Sequence, residues 1–289
     1  MRGHLRADII RLRGRWDAWA FLVAVPVLAA LGFLEGYVNV ASHYGWDPSG
    51  PEPPEIVTLM AAERATYAFP HSLLVMLGST PWVLFAMFFL VATTVGLDYG
   101  WGTIRTSLIV SPDRARLLAS RALAIAAIGV ALIAVLLLLG VVLPQVLPLT
   151  GEVPPPSPDV APELLGGAVA AAMVALAFWV ALAALLAVVT RGPSLPFLLV
   201  LVYILVEGVV GGLAMWRDTG LQLVSGSLPF ASVMALIAGS TDPSRYGLAA
   251  ADPAVFDRPL MVSFAVVAAW AVVFLVAAIV RHRGMDVRE

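Results

Sequence analysis

Few side chains in this chain could do chemistry. All 17 lysine-plus-arginine residues are arginine. Cysteine is absent, which excludes disulfides, thiolate metal sites and cysteine nucleophiles. A phosphate-binding loop of the Gly-x-x-x-x-Gly-Lys-Ser/Thr type needs a lysine on the β/γ-phosphates, so this chain holds none. Neither HExxH nor Gly-x-Ser-x-Gly occurs. His4, His43 and His282 fall in flanks and loops, and His71 reads as a loop residue near a span. Ser225 and Ser227 therefore have no histidine in a span to activate them. No catalytic residue and no metal set is expected.

What remains is charge in an apolar chain. Residues 96–121, GLDYGWGTIRTSLIVSPDRARLLASR, carry Arg105, Arg114, Arg116 and Arg121 between two long apolar runs. Ser111 reads as an N-cap with Pro112 at the first helical position, and Asp113 suits the positive end of that helix. The arginines interleave with Leu117 and Leu118, as in a short helix at a membrane face. The same pattern also describes a plain connector obeying the positive-inside rule. Asp98 closes the preceding apolar run and needs a cation, with Arg105 or an arginine of the N-terminal segment as candidates. Glu207 is the one carboxylate clearly inside an apolar run. It reads either as a pathway or gate residue, or as a vestibule residue hydrogen-bonded to Tyr203 one turn back. Gly208 and Gly212, four apart, share a helix face suited to close packing between subunits or within one.

The elements that position these residues follow from composition. Hydrophobic residues are 61% and charged residues 12% of 289, and mean hydropathy is +0.93. That composition describes an all-α polytopic membrane protein. We read one transmembrane domain over 1–289, with spans at about 18–38, 73–97, 118–143, 163–189, 195–214 and 260–280. The start of the second span is ambiguous: Thr80-Pro81 is either a cap or a kink in a span beginning near Ser72. Residues 1–17 read as an interfacial helix with Leu5, Ile9, Leu12 and Trp16 on one face. IVTLMAAERATY, within the polar loop 39–72, suggests a short helix. Residues 144–162 are too proline-rich for helix and read as an extended external loop. In the fourth span, Gly166, Ala170, Ala177 and Ala181 form an expected packing face. Residues 223–240, broken by Gly226 and Pro229, are too short for an ordinary span and read as a re-entrant or interfacial hairpin, with Leu228, Pro229 and Phe230 joining Glu207 as pathway or gate candidates.

Orientation follows by counting. Arg64, Arg217, Arg245 and Arg258 lie on one side, and the other 13 arginines lie with both termini. The positive-inside rule places those 13 in the cytoplasm. No basic patch with interleaved aromatics suggests nucleic acid.

Asp98-Tyr99-x-x-Gly102-Thr103-x-Arg105, an apolar stretch, Ser111-Pro112-x-Arg114 and then Arg121 together resemble the permease subunits of type-2 ABC transporters. Asp98 stands where that family more often has Glu, and Arg121 where it more often has Lys. The resemblance implies six spans with both ends inside and a re-entrant feature, often with Leu-Pro, before the last. It implies that the segment 98–117 couples to a separate ATPase subunit, with Gly102, Thr103, Arg105, Ser111, Pro112, Arg114 and Arg116 as the coupling residues. It further implies export across the cytoplasmic membrane of a prokaryote. ATP and Mg would sit on the partner, and a second copy or a paralogue would complete the pathway through the first and fifth spans. Two other classes stay open: a membrane scaffold that does not transport, and an ion-gradient-driven transporter, which would usually want internal repeats and more buried charge.

Overall fold

The computed structural model describes residues 2–40, 54–100, 113–150, 160, 162–216, 228–241 and 260–284. Among them every regular element is a helix, as lipid demands of a chain that must satisfy its own backbone hydrogen bonds. In order these are α1 (Arg2–Arg13), α2 (Trp16–Val38), α3 (Pro54–Ala65), α4 (Ser72–Leu77), α5 (Thr80–Gly100), α6 (Arg114–Val146), a 3-10 turn (Leu147–Thr150), α7 (Pro162–Thr190), α8 (Leu195–Trp216), α9 (Pro229–Thr241) and α10 (Leu260–Gly284). Five stretches among the described residues are long and apolar enough to cross a membrane: Trp16–Val38, Ser72–Tyr99, Ala115–Val146, Pro162–Thr190 and Leu260–Gly284. The protein is thus an all-helical membrane protein. In α8 the described apolar part is the shorter Leu195–Val210.

The centre is α7, which packs against α5, α10, α9 and α6. Alanines make this possible: Ala168, Ala171, Ala172, Ala175, Ala183, Ala184 and Ala187 are all buried. Small side chains let helix backbones approach where lipid offers little hydrophobic drive. The expected face is corrected by this arrangement. Gly166, Ala170 and Ala177 are exposed, and only Ala181 of that set is buried. A helix with neighbours on several sides has no single packing stripe, so its small residues could not name one.

Glycines set three close contacts. A Cβ on Gly96 of α5 would lie 2.6 Å from the Gly192 backbone in the α7–α8 turn. One on Gly129 of α6 would meet Leu176 of α7 at 2.6 Å, and one on Gly140 would meet the Leu73 Cα at 3.0 Å. That last contact also explains a correction. Pro144 lies inside α6, not in an external loop. Proline lacks the N–H that would reach the Gly140 carbonyl. The Ser72 hydroxyl donates to that carbonyl instead, at 2.6 Å, so the helix runs on to Val146.

The second span begins at Ser72, and Thr80-Pro81 follows a break within it. A short α4 begins at Ser72, and a separate α5 begins at Thr80, with Pro81 in its first turn. The Thr80 hydroxyl donates to the Leu77 carbonyl across the junction, at 2.5 Å. The helical stretch expected near 56–67 is α3. An aromatic chain then links five helices: Phe21 to Phe89 at 5.1 Å, Phe89 and Phe88 to Phe197, Phe88 to Trp179 at 5.6 Å, and Trp179 to Phe230.

The N-terminal segment also departs from expectation. On α1, Leu12 is buried but Ile9 is exposed, and Trp16 begins α2 as one of the most exposed residues. The face of α1 turned to the bundle carries charge, because Asp8 and Arg11 have partners on α6 and α5. Apolar spacing alone could not foresee a face chosen by ion pairing.

The backbone obstacle at Gly96 gives a test. Gly96→Ala should lower stability by about 1–3 kcal/mol, the usual cost of overpacking, because the Gly192 backbone cannot rotate aside. Gly32→Ala meets nothing within 4 Å and should be neutral or stabilising by up to about 1 kcal/mol. Thermal melting of both variants in detergent checks the contrast.

Candidate functional site

Two arrangements gather the polar residues. The first lies where α5 ends and α6 begins. Asp98, on the last turn of α5, has no exposure to solvent. The Arg121 guanidinium of α6, itself 4% exposed, pairs with its Oδ2. Arg11 of α1 donates to its Oδ1 at 2.6 Å. Asp8, one turn before Arg11, accepts from the Ser120 hydroxyl at 2.7 Å and lies 3.8 Å from Arg121 Nε. Two carboxylates and two guanidiniums thus neutralise one another where three helices meet. Nearby, Arg15 bridges α2 to α5: it donates to both carboxylate oxygens of Asp17, and to Thr94 at 3.0 Å and Thr93 at 3.1 Å. The Tyr99 hydroxyl meets Nδ1 of His282, a buried residue near the end of α10. His282 had read as a cytoplasmic flank. Only tertiary packing brings its ring to Tyr99.

The expected partner for Asp98 was Arg105 or an arginine of the N-terminal helix. The N-terminal helix supplies Arg11, and Arg121 joins it. Arg105 lies outside the described residues, as do Gly102, Thr103, Ser111 and Pro112. The described cap of α6 is Asp113, not Ser111: its carboxylate accepts the Arg116 N–H at 3.1 Å. That hydrogen bond is the main cause holding the Asp113 carboxyl below its usual range. Any contribution it makes to stability is present above the unfolded carboxyl range and lost as pH falls through the lowered value. Arg114 is the first residue of α6. Arg116 stays exposed beside Asp113, at 3.5 Å. The expected coupling segment therefore contributes its two ends to longer helices: 98–100 belong to α5 and 114–117 to α6.

The second arrangement is at the start of α9. Pro229 is its first residue and Leu228 stands at the N-cap, where no side chain can accept a hydrogen bond. Glu207 of α8, 4% exposed, takes that role from a distance. Its Oε2 accepts the Phe230 N–H at 3.3 Å, and its Oε1 accepts the Ala231 N–H. Tyr203 hydrogen-bonds the same carboxylate, and its oxygen also lies 3.4 Å from the Phe230 nitrogen. A carboxylate suits this position, since the helix N-terminus carries partial positive charge. The structure thus brings Glu207, Leu228, Pro229 and Phe230 together, with the Tyr203 bond in place. Sequence reasoning missed the capping role. The available signal was the Leu-Pro start of an apolar helix with no cap of its own. Gly208 points into open space, and Gly212 continues α8 with its surroundings outside the described side chains. Among the described residues no three His, Asp or Glu side chains gather as a metal site.

Two stability tests follow. Asp98→Ala leaves Arg121 buried without its main anion and should cost about 3–5 kcal/mol. Arg11→Ala, at a side chain 40% exposed, should cost about 1 kcal/mol or less. Melting curves would reveal a reversed order. Glu207→Ala strips two N–H donors of their acceptor, at about 1–3 kcal/mol each. Amide exchange at 230–232 should speed by about tenfold or more. Glu207→Gln, which keeps one acceptor oxygen, should change less.

No curated protein and no solved structure matches the chain. Residues 63–288 match the model of a family described as protein of unknown function (DUF2705), and the chain belongs to that family.

Proposed function

We propose that this chain is the transmembrane subunit of an ATP-driven type-2 ABC transporter, an exporter in the cytoplasmic membrane of a prokaryote. In this reading α8, of 22 residues and about 33 Å at 1.5 Å per residue, is the further crossing that makes six. Both termini lie inside. A separate ATPase hydrolyses ATP, and a second copy or a paralogue completes the pathway.

The observation that carries the reading is the buried Asp98–Arg121 pair. These residues stand at the two ends of the motif-bearing segment. Pairing them makes the end of α5 and the start of α6 move together, so force applied to the segment reaches both spans at once. Arg116, exposed beyond this pair and held beside Asp113, would meet an acidic partner surface. The charge distribution supports the orientation. Arg11, Arg13, Arg15, Arg116, Arg121, Arg191, Arg281 and Arg283 lie at one end of the bundle, and Arg64 lies at the other. In the same reading Glu207 ties α9 to α8, so the segment Leu228–Phe230 follows α8 when the pathway opens. Gly208 and the exposed Leu201, Leu205 and Val209 on α8 offer a surface for the second subunit.

The test has two arms. Purification of the intact protein in mild detergent should bring an ATP-binding subunit with it. In the reconstituted complex, the double reversal Arg114→Glu/Arg116→Glu should leave the fold intact and cut transport at least tenfold, with substrate-stimulated ATPase activity lost. Unchanged transport in the double reversal would overturn the coupling role. Repeated purification without any ATP-binding partner would overturn the reading as a whole.

A further inference from the structure

A cavity of 480 Å³ opens beside the α1–α2 elbow. Its polar wall is Arg11, Arg15 and Asp17, and its apolar wall includes Phe21, Phe89 and Leu97. The volume falls in the range of small-molecule sites, yet the lining is split. One side is charged, and the other is made of side chains that belong in lipid.

Charge on the polar wall can be assigned. Asp17 faces the cavity and is taken up by Arg15. Asp98, the partner of Arg11, is fully buried behind the wall and is shared with Arg121. The groups that face the cavity are two guanidiniums and one carboxylate, and with Asp8, Asp98 and Arg121 behind the wall the three arginines and three aspartates balance. Arg11 has five N–H donors and spends one on Asp98 among the described residues. Its side chain is 40% exposed. A guanidinium with spare donors matches the oxygens of a phosphate group.

The apolar side does not end at the cavity. Ala20, which lines it, begins a row on α2 with Val23, Val27 and Leu31, spaced three or four apart and exposed. That row would lie along an acyl chain running into the bilayer from the cavity mouth. We propose that the α1–α2 elbow binds one anionic phospholipid, its phosphodiester on Arg11 and its chains against Phe21, Phe89 and the α2 row. A monoanionic headgroup of the phosphatidylglycerol kind meets the exposed guanidinium of Arg11 without adding a second cation. A phosphatidylcholine headgroup would bring its own cation beside the two arginines. Basic pockets between membrane helices are a recurring setting for such recognition. The site needs α2 and α5 in a bilayer with the α2 row facing lipid, and it does not depend on an ATPase partner.

The experiment uses the full chain in mild detergent, with phosphatidylglycerol or phosphatidylcholine added as mixed micelles. Thermal melting and native mass spectrometry of retained lipid are the readouts. Phosphatidylglycerol should raise the melting temperature by several degrees and be retained at one per chain, while phosphatidylcholine does neither. Ala20→Trp fills the apolar half without touching an ion pair, and Arg11→Gln removes the exposed positive charge. Each should weaken phosphatidylglycerol binding at least tenfold. Equal effects of the two lipids, or unchanged phosphatidylglycerol binding in Ala20→Trp, would overturn the site. Glycerol phosphate without chains should give no shift. A shift as large as the lipid's would make this a free-anion site and overturn the lipid assignment.

Discussion

A carboxylate sealed from solvent at the end of a membrane helix must find cations, and Asp98 makes that demand. Its two oxygens are met by Arg11 and Arg121, and each cation brings its own helix to a fixed place. Arg121 sets the start of α6 against the end of α5. Arg11 brings α1 down onto both, so the N-terminal helix is docked by charge. Asp8 and Ser120 repeat the same link one turn away. Removing Asp98 would leave Arg121 desolvated and unmatched, whereas Arg11 is open enough to water to be given up at small cost. The Tyr99–His282 contact, one residue along, extends it to the last helix.

Away from this charged end, packing is governed by size. The alanine-rich α7 admits neighbours on several sides because nothing on it is bulky at the points of approach. Gly96, Gly129 and Gly140 let α5 and α6 come close to α7, its following turn and α4. Aromatic rings also join the helices, in a continuous chain from Phe21 to Phe230. Lipid-facing surfaces need none of this, and α2, α8 and α10 carry exposed Val and Leu outward.

The short helix α9 shows how one polar side chain can govern an element that the apolar pattern leaves undefined. A helix entering on Leu-Pro has free N–H groups in a setting where an unsatisfied donor is costly. Glu207 meets two of them from the neighbouring helix. The same bond compensates Glu207 for its own burial. Each group thus removes the other's penalty, and α8 and α9 become one unit.

Composition and hydropathy by themselves determined an all-helical membrane protein, the rough limits of its long helices, and the absence of a lysine phosphate loop. These were legible because a lipid solvent imposes strong local rules, in length and apolarity, on every crossing. The need of Asp98 for a cation was legible for the same reason, and the N-terminal helix was correctly among its sources. Which arginine would answer was not, since Arg11 and Arg121 lie 87 and 23 positions from it and only the fold makes them adjacent. The packed face of α7, the continuation of α6 through Pro144, the buried ring of His282 and the cap on α9 were likewise decided by tertiary structure. Each depends on a partner supplied by another helix: a neighbour's contour, the Ser72 hydroxyl, the Tyr99 hydroxyl and the Glu207 carboxylate. Local sequence states what a residue requires, and the fold alone decides what stands close enough to meet it.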